Sequence, residues 1–142
     1  MFAFIQKLIS LFSAMLAFFG FARGIDHNNG TAADANASYS VHGKSVEFTF
    51  TSNPSTGYGW QCNASGDSII LKEEHYESGN HGNVAGAAGK QHYTFTAVSP
   101  GKTSITFVYE RSWETDPPFY TYIAELQADD NQNITVLSFQ SV

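Results

Sequence analysis

The chain has almost no means of cross-linking itself. Among its 142 residues Cys62 is the only cysteine, which excludes an internal disulfide and leaves packing and hydrogen bonding to hold the fold. Basic residues are scarce as well: 7 Lys and Arg stand against 13 Asp and Glu, a net charge of −6 with the histidines neutral. A domain of that sign with no basic patch repels phosphate backbones, so nucleic acid is not an expected partner. Metal-ligand spacing is missing too. His27, His42, His75, His81 and His92 stand at no ligand spacing from one another or from Cys62, so neither a metal nor another cofactor is expected. His92 falls within a strand pattern and reads as a surface or edge residue.

Catalytic constellations are equally absent. Glu73-Glu74 and Asp129-Asp130 read as solvated runs rather than as a paired acid and base. A nucleophile needs a positioned base and an orienting group, and Cys62 has neither in view. It shares a strand face with Trp60, two residues before it, and reads as an apolar filler of the core. No enzymatic activity is expected.

Long apolar runs occur only at the start. Lys7 provides a short positive region, Leu8 to Phe21 is almost wholly apolar, and Ala22-Arg23-Gly24 offers small residues where a signal peptidase reads. The run is shorter than the ~20 residues of a spanning helix. Residues 1–24 are therefore expected to be a removable signal, leaving no membrane segment, with a retained membrane anchor as the alternative. Loss of Lys7 and Arg23 brings the net charge near −8. Residues 25–37, rich in Asn, Ala, Gly and Asp, read as a flexible leader, and 38–142 as one domain with its own core. Localisation follows as secreted or endomembrane and lysosomal lumen, or periplasmic in a bacterium. Asn29, Asn36, Asn63 and Asn133 each stand two residues before Ser or Thr and are candidate N-glycosylation acceptors, whereas Asn53 precedes proline and is not.

No window after Gly24 carries helical periodicity. What is present instead is short alternation punctuated by turn residues. Tyr39 to Val41 and Ser45 to Thr51 flank His42-Gly43; Trp60 to Asn63 and Ile69 to Lys72 flank Ser65-Gly66-Asp67. His92 to Ala97 and Thr103 to Glu110 flank Ser99-Pro100-Gly101-Lys102, and Tyr120 to Gln127 and Ile134 to Phe139 follow. Ile105, Phe107 and Tyr109 form an inward face opposed by Thr106 and Val108. Seven to eight short strands at this spacing predict an all-β, immunoglobulin-like sandwich without a disulfide. Loops after alternate strands of such a sandwich gather at one end.

Three segments at strand ends stand out. Asn53-Pro54-Ser55-Thr56-Gly57-Tyr58 combines a side chain able to fold onto nearby backbone, a fixed φ and a glycine, predicting a stiff loop with a small polar tip. Val84-Ala85-Gly86-Ala87-Ala88-Gly89 leads into the strand at His92. Arg111-Ser112-Trp113 ends the strand from Thr103. In order and spacing these three resemble the chagasin family of cysteine-protease inhibitors, over roughly Val41 to Gln127. Ser55 stands where the family has threonine, Ala88 where glycine is usual, and Ser112 where proline is usual, which predicts a third loop less ordered when free. Asn133 to Phe139 continues past the family's last strand.

The resemblance implies a tight, reversible, non-covalent inhibitor of papain-like, cathepsin-like cysteine proteases, working as a monomer. Ser55, Thr56 and Gly57 would approach the catalytic cysteine, Val84 to Gly89 would lie along the non-primed side of the cleft, and Trp113 would pack on the primed side with Arg111 buttressing its loop. The alternative is an immunoglobulin-like adhesion or glycan-binding module presenting Tyr58, Trp113 and Tyr120 at its loop ends.

Overall fold

The computed structural model describes residues 29–31, 36–79 and 87–142. The expected signal at 1–24 lies outside the described residues. Among the described residues nine strands form two antiparallel sheets: β1 (Asn29–Thr31), β2 (Ala37–His42), β3 (Ser45–Ser52), β4 (Gly59–Ser65), β5 (Ile69–Glu77), β6 (Gly89–Ala97), β7 (Gly101–Glu110), β8 (Tyr120–Ala128) and β9 (Ile134–Ser141). One sheet runs β1-β2-β3-β6-β5 and the other β4-β7-β8-β9. Among the described residues the only helical turn is the 3-10 turn Pro54–Thr56.

The alternation in sequence is what closes the sandwich. Val46, Phe48 and Phe50 of β3 and Tyr93, Phe95 and Ala97 of β6 face Ile105, Phe107 and Tyr109 of β7 and Tyr122, Ala124 and Leu126 of β8, all of them buried. Successive side chains in a strand point to opposite faces, so each strand gives half its residues to this layer. The core is dominated by aromatic rings. Phe107 lies 4.9 Å from Phe48 and 4.7 Å from Phe50 by ring centroids, and Phe50 lies 4.3 Å from Trp60. The residues from Asn133 onward, beyond the family pattern, supply β9 at the edge of the second sheet. It buries Ile134 and Val136, and a shift in register between Glu125 and Leu126 re-aims Phe139 toward Tyr122, 5.7 Å away.

Three expectations need correction. The count of seven to eight strands misses β1, which lies inside the segment read as a flexible leader. Its register with β2 is Asn29↔Ser40, Gly30↔Tyr39 and Thr31↔Ser38, and Ala37, also assigned to the leader, is buried at the head of β2. Backbone pairing holds so short a strand, so no side-chain period announces it. β5 runs on from Lys72 to Glu77, past the expected end. It is the edge strand of its sheet and only Ile69 on it is buried, so charged Glu73 and Glu74 fit a strand there, as edge strands tolerate. Finally, of the surface or edge place expected for His92 only the surface holds, because β6 lies between β3 and β5. On the outer sheet face its ring stacks on His75 at 4.5 Å and lies 3.4 Å from Glu47 and 3.2 Å from Glu77.

Cys62 is half-buried against the core. Burial, and secondarily the Glu74 carboxylate, pushes its thiol up to about 11. The protonated form is the one favoured in the fold, so the stability this group contributes is present at neutral pH and lost as pH rises toward that value. Alkylation by iodoacetamide at pH 8 is expected to be at least about tenfold slower in the folded protein than in urea, because the thiolate is the reactive form. Equal rates would mean that the thiol ionises as freely as in an open chain.

Candidate functional site

The first loop is closed by its own polar groups. Thr56 places both its N–H and its hydroxyl on the Asn53 carbonyl, at 3.2 and 2.7 Å, and the Gly57 N–H donates to the Pro54 carbonyl at 3.0 Å. The Asn53 side chain accepts the Ser55 hydroxyl at 2.6 Å. It makes no side-chain cap on the 3-10 turn. Gly57 takes φ 85° and ψ −9°, a left-handed conformation open to glycine and costly to most residues. Pro54, Ser55 and Thr56 are left exposed at the tip.

Beneath the loop lies an aromatic shelf. Tyr109, at the end of β7, accepts the Asn53 N–H on its hydroxyl at 3.0 Å. Its ring stacks against Tyr58 at 5.3 Å and Trp60 at 4.8 Å. The Trp60 indole N–H donates to the Thr51 carbonyl at 2.9 Å. Both ends of the loop are thus fastened to core aromatics, which accounts for a stiff tip with no disulfide nearby.

The third loop is built onto the first. The Arg111 Nε donates to the Thr56 carbonyl at 3.1 Å, and its guanidinium carbon sits 4.5 Å from the Tyr58 ring centroid. The Glu114 carboxylate, 3.0 Å from Arg111 Nη1, orients the guanidinium and favours its charged form. Trp113 is 69% exposed, yet it lies against Gly57 so closely that a Cβ there would come within 2.6 Å of its ring. Trp113 is therefore not the half-buried core residue that an ordinary strand-end tryptophan would be. Ser112, beside it, is exposed.

The second loop is described only at its exit. Val84, Ala85 and Gly86 lie outside the described residues, whereas Ala87, Ala88 and Gly89 lead into β6. Gly89 pairs with Ser52, the last residue of β3 before the first loop. A side chain at Gly89 would run into the Glu77 carbonyl and the Tyr76 ring, so glycine is needed for backbone approach. The exit of this loop and the entrance of the first therefore lie side by side.

Sequence reasoning singled out Tyr58, Arg111 and Trp113 but passed over Tyr109, Glu114 and Phe119. Tyr109 was legible as core, not as the hydroxyl that holds Asn53. Of the three aromatics an adhesion or glycan-binding surface would present, Tyr58 and Tyr120 are half-buried and only Trp113 is well exposed, so they form no open platform. Among the sequons, Asn29, Asn63 and Asn133 are exposed and Asn36 is half-buried. Among the described residues no group of three or more His, Cys, Asp and Glu could hold a metal ion.

Comparison with curated proteins gave no match. Among solved structures the chain is similar to the cysteine protease inhibitor EhICP2 from Entamoeba histolytica, with 21% identity and a TM-score of 0.48 over 68% of this chain and 74% of that one. A family profile described as chagasin family peptidase inhibitor I42 matches residues 40–126. That match takes in both described loops, the exit of the Gly-rich one and more than half of the sequence: the chain belongs to the chagasin family, and is an inhibitor of cysteine proteases rather than an enzyme.

Proposed function

We propose that the protein blocks papain-like, cathepsin-like cysteine proteases as a tight, reversible, non-covalent wedge, monomeric and acting in a secretory, lysosomal or periplasmic compartment. Ser55, Thr56 and Gly57 meet the catalytic cysteine. Asn53, Pro54 and Tyr58 hold that tip, Val84 to Gly89 follows the non-primed side with Val84 or Ala85 near the apolar specificity pocket, and Trp113 packs on the primed side beside Arg111 and Ser112. The observation that carries this reading is the Arg111 bond to the Thr56 carbonyl, which ties the third loop to the first. Rigidity lowers the ordering cost of binding. It also keeps the tip from relaxing into the extended form that a protease aligns for cleavage.

Titration of papain at fixed enzyme concentration tests this directly. Activity is expected to fall linearly toward one equivalent of inhibitor, to return on extensive dilution with the inhibitor's mass unchanged, and to be unaffected for serine and aspartic proteases. Full papain activity at micromolar excess would refute it.

A further inference from the structure

Phe119 belongs to none of the three motifs, and the core does not need it. Its ring is 63% exposed, but it is held. Its N–H donates to the Tyr109 carbonyl at 2.8 Å, and its ring meets Tyr120 edge-on at 4.7 Å and Tyr58 at 5.8 Å. Pro117 and Pro118 precede it and fix φ at two successive positions. A large apolar ring kept in water with its backbone pinned and its neighbours packed has already lost most of the freedom that binding would cost. Aromatic rings in this condition are common anchors at protein interfaces. It also stands at the same end of the sandwich as Trp113, since Tyr58 of the first loop touches Phe119, and its neighbour Gly57 touches Trp113.

We propose that Phe119 is a fourth contact with the target protease, a specificity-determining residue that packs on an apolar patch of the enzyme surface beside the catalytic cleft. This rests on the wedge reading above, and deepens it: enzymes with a charged or polar patch at that place are bound less tightly. The acidic residues on the same segment, Glu114 and Asp116, would border that patch.

Wild type, Phe119→Ala and Phe119→Lys are to be compared on papain by inhibition and by dissociation rate, with thermal unfolding of each free protein. Phe119→Ala is expected to weaken binding roughly thirtyfold, mostly through faster dissociation, with the melting temperature almost unchanged because the ring is exposed. Phe119→Lys should lose more than alanine does, since a charge would then face the apolar patch. A wild type that inhibits while Phe119→Ala binds within twofold of it would overturn the inference and spare the wedge. Equal losses for alanine and lysine would also overturn it, because a ring that only props Tyr58 is indifferent to the replacement's charge. A wild type that leaves papain active would sink the wedge reading and this one with it.

Discussion

Gly57→Ala is expected to weaken inhibition of papain by about a hundredfold while costing the fold only about 1 to 2 kcal/mol. The φ of 85° at this position is strained for alanine, and the added Cβ would come within 2.6 Å of the Trp113 ring. Trp113 is exposed and can swing aside, which is why the fold loses little. The interface loses much more, because the loop tip and the aromatic anchor are displaced together. Affinity and urea unfolding must be measured on the same variant. Trp113→Ala, itself expected to cost ~2 kcal/mol or more in binding, removes the ring that the new Cβ would strike. The glycine substitution should therefore cost less in that background, a departure from additivity. Unchanged affinity for Gly57→Ala would mean that this loop does not meet the enzyme in the shape seen here.

Phe50→Ala should produce the largest loss of stability, about 3 to 5 kcal/mol. Phe50 is fully buried and its ring meets Trp60 at 4.3 Å, Phe107 at 4.7 Å and Tyr122 at 5.7 Å. Those three rings belong to the facing sheet and Tyr93, 6.1 Å away, to its own, so neither sheet alone can close over the space it would vacate. With no disulfide to limit the unfolded chain, a loss of that size is a large share of the ~5 to 15 kcal/mol typical of a whole domain. The melting temperature should drop by roughly 15 °C or more. A fall of only a few degrees would mean that the aromatic core repacks readily.

The sandwich was legible where a residue's role depends on its neighbours in sequence. Ile105, Phe107 and Tyr109 alternate, and they are inward as that alternation requires; Trp60 returns the chain to the core after the first loop. The two corrected strands lacked that signal for different reasons. β1 is held by backbone pairing with β2, and Glu73, Glu74 and His75 of β5 sit on an edge where charge is tolerated, so they look like loop. The site divides in the same way. Asn53 to Gly57 announces a stiff turn through its own residue types. The bond from Arg111 to the Thr56 carbonyl joins residues in two different loops, and no local pattern encodes it. Tyr109 was visible as an inward ring, but its hydroxyl's hold on Asn53 depends on where β3 ends in space.

The first loop joins two strands of different sheets. Ser52 pairs with Gly89 and Gly59 with Glu110, so both of its ends are fixed by segments that leave the ribosome much later. Such non-local pairing is slow to form, typically milliseconds to seconds. During that interval the stretch from Asn53 to Tyr58 is an ordinary pliable peptide, the form in which proteases bind and cut their substrates. The same six residues are thus prey in the nascent chain and a block in the finished one, and what separates the two states is closure of the sandwich.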